Sequence, residues 1–180
     1  MSTITTPSTP TFMIEHAGAD DVTAFANILK SVWNNMDNQD WFLIDGEEYI
    51  SGILTTDAGI GYKAVDTTTG AIAGLFMVSL PGLGEGNLGY DADFTEEQLL
   101  KTAIMDSAAI LPEYRGHHLQ YQLMQTAETE LRSLGYHYLM CTVHPDNHAS
   151  HNTVTRQGYR VVTQKQKYGT LIRDILLKEL

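Results

Sequence analysis

Two hydrophobic rhythms alternate along this chain. TFMIEHA (Thr11 to Ala17), GIGYKAVD and AIAGLFMVSL have the short apolar runs of strands, and the turn TTTG between the last two predicts a hairpin. Between the first strand and that hairpin the spacing turns helical. Val22, Phe25, Ile28, Leu29 and Trp33 follow the helical period behind Asp20, the expected cap. After a loop, NNMDNQDWF, the segment EEYISGILTT predicts a second, shorter helix. Glycines and acidic residues then break the pattern through PGLGEGNLGYDADFTEEQLLKTA, where Thr95 ahead of Glu96, Glu97 and Gln98 predicts a capped helical turn.

From Ile104 onward strand and helix alternate. AIMDSAAIL reads as a strand, HHLQYQLMQTAETELRSLG as a helix, YHYLMCTV as a buried strand and NHASHNTVTRQG as a short helix; YRVVTQK and LIRDILLKEL follow as strands. In the long helix Leu119, Leu123, Ala127, Leu131 and Leu134 form one apolar face, and Gly135 ends it. Neither an internal repeat nor a second hydrophobic unit is visible. The pattern therefore predicts one α/β or α+β domain over residues 11–180, with a mixed sheet, behind a loose tail at residues 1–10.

Composition narrows the function classes. A chain of 180 residues with 43% hydrophobic and 18% charged positions is ordinary globular material, and at this length it buries roughly 70% of its unfolded surface. The net charge of −11 supplies no basic cluster that could displace counterions from DNA or RNA, so no nucleic acid partner is expected. The same charge favours cationic small molecules or peptides. Cys141 is the chain's single cysteine and has no internal partner, as a reducing cytoplasm leads one to expect. MSTITTPSTP lacks the basic and apolar blocks of a leader, and AIAGLFMVSL is far short of a membrane span. We expect a soluble, cytoplasmic protein without a membrane partner.

LPEYRGHHLQYQLM is where chemistry first suggests itself. Pro112 ends the strand, Gly116 permits a sharp turn, and Gly116 to Tyr121 offer backbone N–H groups at the positive end of a helix beside Arg115. Such a helix start binds phosphate. An Arg-Gly pair that only makes a tight strand-to-helix corner is the competing reading, and spacing alone leaves both open.

The order AAILPEYRGHHLQYQLMQTAETEL, GYHYLMCTVHPDNHASHNTVTRQGYRVV resembles the cofactor-binding half of the GNAT superfamily, the acyl-CoA-dependent N-acyltransferases, from Ile104 to Val162. The resemblance implies a mixed, mostly antiparallel central sheet of six to seven strands flanked by about four helices. It also implies acetyl-CoA as co-substrate, an amine acceptor and, as in many members, pairing into homodimers. The family's loop signature is Arg or Gln, two residues, Gly, one residue, then Gly or Ala; here it reads Arg115-Gly116-His117-His118-Leu119-Gln120, with His118 and Gln120 at small positions. By resemblance this loop, with Tyr121, grips the diphosphate. The His118 side chain either crowds that group or, as a protonated imidazole, pairs with it, and the expectation is that it is tolerated. The backbone of Ala108, Ala109 and Ile110 pairs with the pantetheine arm, N–H groups near Ile110 polarise the thioester, and Asn147 and Ser150 stand at the family's spacing. Gly158-Tyr159 matches the pair that closes the following helix.

The family's proton-transfer groups are missing. Its usual tyrosine acid falls on Val154 and a common glutamate base on Thr142. Asp106 is the substitute base, weighed against a structural strand carboxylate, and Tyr90, Tyr121 and Tyr136 are unranked candidates for the acid. The expected function is N-acetyl transfer from acetyl-CoA to a primary amine of a small molecule or peptide, in a ternary complex; the alternative is a degenerate domain that binds CoA without turnover. Three further features have two readings each. His144, His148, His151 and Asp146 carry metal-binding atoms without a recognised metal spacing, so no metal is expected. Asp91, Asp93, Glu96 and Glu97 face an acceptor amine or only solvent. Trp33, Trp41 and Phe42 wall an acceptor pocket or fill the core.

Overall fold

The computed structural model describes residues 11–180, so the tail expected at residues 1–10 lies outside the described residues. Its frame is one seven-stranded sheet in the order β1-β2-β3-β4-β5-β7-β6. The strands are β1 (Phe12–His16), β2 (Gly59–Asp66), β3 (Ile72–Ser79), β4 (Thr102–Ile110), β5 (Tyr138–Val143), β6 (Arg160–Lys167) and β7 (Leu171–Glu179). Every neighbouring pair is antiparallel except β4 and β5. That parallel pair follows from the helix that returns the chain between them.

Five α-helices accompany the sheet: α1 (Val22–Asn34), α2 (Glu47–Thr55), α3 (Glu96–Leu100), α4 (Leu119–Ser133) and α5 (His148–Thr155). Alternation along the strands splits the core between the two faces. Leu119, Leu123, Ala127 and Leu131 of α4 pack with Phe76, Met105, Leu139 and Cys141 on one face; Phe25, Leu29 and Ile50 of α1 and α2 pack with Leu75, Met77 and Ala109 on the other.

Several local expectations shift by a residue or a turn. Asp21, not Asp20, stands at the start of α1: its carboxylate accepts from Gly18 N–H at 3.0 Å and pairs with Lys63 at 2.9 Å. Leu134 is 57% exposed, because α4 ends at Ser133 and the chain is already turning away from the sheet. Gly135 then takes φ of 87°, the left-handed step that ends such helices. Thr95 caps α3 with the reciprocal Gln98 contact. No helix of the described residues is long and apolar enough to cross a membrane.

Candidate active site

The parallel strands β4 and β5 are paired only from Thr102–Ile104 to Tyr138–Met140. Beyond that they part, and among the described residues the rest of β4 keeps β3 as its only sheet partner. The phase of that pairing decides which peptide groups are left over. Leu111 N–H donates to Ala73 O at 3.0 Å, and Gly74 stands opposite Ile110. In an antiparallel ladder, hydrogen-bonded and non-bonded pairs alternate. Ala109 therefore spends its peptide groups on β3, while Ala108 and Ile110 turn N–H and C=O into the gap. A sheet edge is exposed inside the sheet.

A cavity of about 570 Å³ fills this gap. At one end stands the loop before α4. Gly116 has φ of 85° and His118 φ of 58°, so two left-handed residues within three turn the chain sharply into the helix. Among the described residues Gly116 to Tyr121 donate to no backbone carbonyl; the first bond of the helix runs from Gln122 N–H to His118 O at 3.1 Å. Ala108, Ala109, Ile110, Arg115, Gly116, His118, Leu119, Gln120, Asn147 and Ser150 all line the cavity. His117 and Tyr121 do not. The His117 ring lies 5.1 Å from that of Phe12, and Tyr121 is 51% exposed on the outer side of α4. His118 is exposed at the rim and leaves the cavity open. Asn147 caps α5 by accepting from Ser150 N–H at 3.2 Å.

At the other end, β4 carries a bulge. Met77 pairs with Ser107 and Val78 with Met105, which leaves Asp106 as the extra residue. A bulge turns two successive side chains to one side. Here both face α1 and α2: Asp106 Oδ2 accepts from the Tyr49 hydroxyl at 2.6 Å, and Ser107 Oγ donates to Asp45 at 3.4 Å. Asp106 is a half-buried wall of the cavity. Desolvation lifts its carboxyl to about 6, against the Tyr49 hydrogen bond and with a smaller push from Asp45. Burial likewise raises Asp45 and carries the Tyr49 phenol above its usual range.

The remaining walls sort the other candidates. Trp41 and Phe42 line the cavity with Asn35, Met36 and Asp37, whereas Trp33 does not. Arg173, only 2% exposed, donates to Asp40 O at 2.7 Å and to Ile172 O at 2.9 Å, which ties this segment to β7. Its guanidinium carbon lies 5.9 Å from the Tyr168 ring, whose hydroxyl is 3.3 Å from Thr142 Oγ1. Val154 and Thr142 line the cavity, and neither carries an acid or a base. Cys141 also lines it, but burial pushes its thiol up to about 12, so it is not a nucleophile at neutral pH.

Other sequence candidates fall elsewhere. Tyr90, Tyr121 and Tyr136 are all absent from the cavity wall. Tyr90 donates to Leu83 O at 2.8 Å, and Tyr136 packs at the far end of α4. Asp91 pairs with Lys165 and Lys167, and Glu97 with Lys101, and none of the four acids of the run lines the cavity. His144 Nδ1 accepts from Asp146 N–H at 3.1 Å, and His151 Nε2 lies 3.0 Å from Asp174. Among the described residues no three His, Cys, Asp or Glu side chains are placed to hold a metal ion. Tyr49, Asp45, Ser107, Tyr168 and Arg173 escaped the sequence reading, because none lies in a recognisable motif.

The family model for acetyltransferase (GNAT) matches residues 37–159. No curated protein sequence matches the chain. Among solved structures, the ribosomal-protein-S18-alanine N-acetyltransferase from Escherichia coli is similar with a TM-score of 0.69, 16% identity and 94% of each chain covered. Arabidopsis thaliana NAA60 in complex with acetyl-CoA gives 0.73 at 11% identity, covering 94% of this chain and 99% of that one. The yncA protein from Salmonella typhimurium, solved with its cofactor acetyl-CoA, gives 0.69 at 18% identity and 94% of each chain. At such identities the likeness is one of fold.

Proposed function

The chain belongs to the acetyltransferase (GNAT) family, whose co-substrate is acetyl-CoA, and from that premise we propose that it transfers the acetyl group to a primary amine by direct attack in a ternary complex. One observation carries this reading: a single cavity joins the unpaired amides of the loop before α4, the open edge of β4 and the Asp106 carboxylate.

Each part has a task that elementary chemistry assigns. The N–H groups of Gly116 and of His118 to Gln120, with the Arg115 charge, hold the diphosphate at a helix start. The pantetheine arm, an extended chain with amides, adds to the edge of β4 through Ala108 and Ile110 as an extra strand adds to a sheet. Asn147 reaches it from the start of α5. An N–H turned into the gap polarises the thioester carbonyl as negative charge develops on its oxygen.

The amine arrives as an ammonium and must lose a proton before it attacks. Asp106 is the group placed to take it: with its carboxyl at about 6 it is ionised at pH 7.5 yet more basic than an ordinary aspartate. The C–N bond then forms, the C–S bond breaks, and the thiolate leaves to become the free thiol. The balance is ammonium plus acetyl-CoA giving amide, CoA thiol and one proton. A ping-pong route through Cys141 is disfavoured by its protonated, buried thiol.

Acetyl-CoA with a panel of amines tests the proposal by release of free thiol, alongside calorimetry with acetyl-CoA alone. Thiol release that depends on the amine supports transfer. Binding without release supports a CoA-binding domain that has lost turnover, the outcome that Val154 and Thr142 at the family's acid and base positions would favour. No binding removes both.

A further inference from the structure

The two ends of the cavity differ in charge, and the difference constrains the acceptor. Side chains lining it on the α4 and α5 side include Arg115 and His118; those on the α1 and α2 side are Val32, Met36, Trp41, Phe42, Asp37 and Asp106, with neutral Asn35. No lysine, arginine or histidine lines the cavity there among the described residues. The segment of residues 1–10 carries no such side chain either. The Arg173 guanidinium, tied to this side through Asp40, does not line the cavity; it is 2% exposed and committed to the carbonyl oxygens of Asp40 and Ile172.

An anionic group on the acceptor would thus face two carboxylates with Asp45 behind them and no counter-ion. Juxtaposed like charges disfavour such a contact and select against the wrong partner. An ammonium meets the opposite field, and its body meets two aromatic rings and two aliphatic side chains. Most of that wall offers dispersion and desolvation, not hydrogen bonds.

We propose that the acceptor is an arylalkylamine-type monoamine: a primary amine on an apolar, ring-bearing body, without a carboxylate. Asp106 faces the reacting nitrogen, Trp41 and Phe42 hold the ring, and Asp37 at the mouth repels anionic competitors. The inference rests on the acetyl-transfer reading and assigns the substrate class of the same cavity. The bond changes are those already given, with the amine nitrogen as nucleophile and CoA thiol as leaving group.

Matched pairs of acceptors isolate the charge. Thiol release from acetyl-CoA at pH 8 is measured with tryptamine and tryptophan, phenethylamine and phenylalanine, and spermidine. Each monoamine is expected to exceed its carboxylated counterpart in kcat/KM by at least about tenfold, and to exceed spermidine. The exposed substitution Asp37→Lys is expected to narrow the amine-to-amino-acid gap by raising the amino acids. An amino acid equal to or better than its amine, spermidine as the best acceptor, or a gap unmoved in Asp37→Lys overturns the inference while leaving acetyl transfer intact. Thiol release with none of the five overturns it too, and is recognisable as failure of the activity itself when acetyl-CoA still binds by calorimetry.

Discussion

The hydroxyl of Tyr49, on α2, donates a 2.6 Å hydrogen bond to Oδ2 of Asp106, on β4, across 57 residues of sequence. The two groups meet because the bulge turns Asp106 toward the face that α2 covers. This contact stabilises the ionised carboxylate and so opposes the desolvation that raises Asp106. With the Asp106 carboxyl raised to about 6, the acid limb of the wild-type kcat/KM profile is expected there, and Tyr49→Phe is expected to move it upward by about one unit. A pH profile from 5 to 9, with acetyl-CoA saturating and the amine well below its KM, reads the shift; an unmoved limb separates the limb from Asp106.

Asp106→Asn separates activity from stability. The variant is expected to lose about two to four orders of magnitude in kcat/KM at pH 8, the range for a general base. Its stability should change the other way, since the folded carboxyl sits near 6 against an ordinary 3.8. The native state binds the proton more tightly than the unfolded chain, so the wild type loses stability as pH rises from about 4 to about 6. The amide is uncharged and escapes that loss. Above pH 7 it should be more stable by about 2–3 kcal/mol, with little difference at pH 3, in denaturant titrations at both pH values.

His118 occupies a left-handed conformation with φ of 58°, which costs a side-chain-bearing residue about 1–2 kcal/mol relative to glycine's freedom. Set against glycine's greater unfolded-state entropy, His118→Gly should stabilise the fold by about 0.5–1 kcal/mol. Its effect on acetyl-CoA should be opposite. Calorimetry at one pH is expected to show a severalfold weaker Kd for the glycine variant, the loss of one side-chain donor to phosphate. Equal affinities for the two proteins would remove the imidazole from the phosphate contact.

Arg173 holds the segment bearing Trp41 through the carbonyl of Asp40 while not itself lining the cavity. Arg173→Met keeps an apolar stem in the same space and removes the tie. The acceptor KM should rise by about tenfold, a cost of misplacing a wall rather than of losing a reacting group. The Kd for acetyl-CoA should stay within about twofold. A matching loss in acetyl-CoA affinity would show that Arg173 supports the whole cavity and not the acceptor side alone.

Much of this protein was legible from local signals. Periodicity along Leu119, Leu123, Ala127 and Leu131, the step at Gly135, the Thr95 cap and the hairpin turn all depend on neighbours within a few positions, and each appears in the structure. The loop from Arg115 to Gln120 was readable for the same reason: strand end, left-handed turn and helix start follow one another along the chain. The candidate base Asp106 was singled out, although its neighbours were not.

What tertiary structure alone decided was which residues face one another across the gap. Pairing phase between β3 and β4 selects Ala108 and Ile110, and not Ala109, to open their peptide groups, and the same pairing expels Asp106 as a bulge beside Ser107. It brings Tyr49 and Asp45 to that bulge, sets Tyr168 against Thr142, and keeps Tyr90, Tyr121 and Tyr136 away from the cavity wall. The physical reason is range. Helix period and capping are settled by residues a turn apart, whereas a bulge exists only in the register of two strands, and a carboxyl's affinity for its proton depends on whatever distant segments exclude water from it.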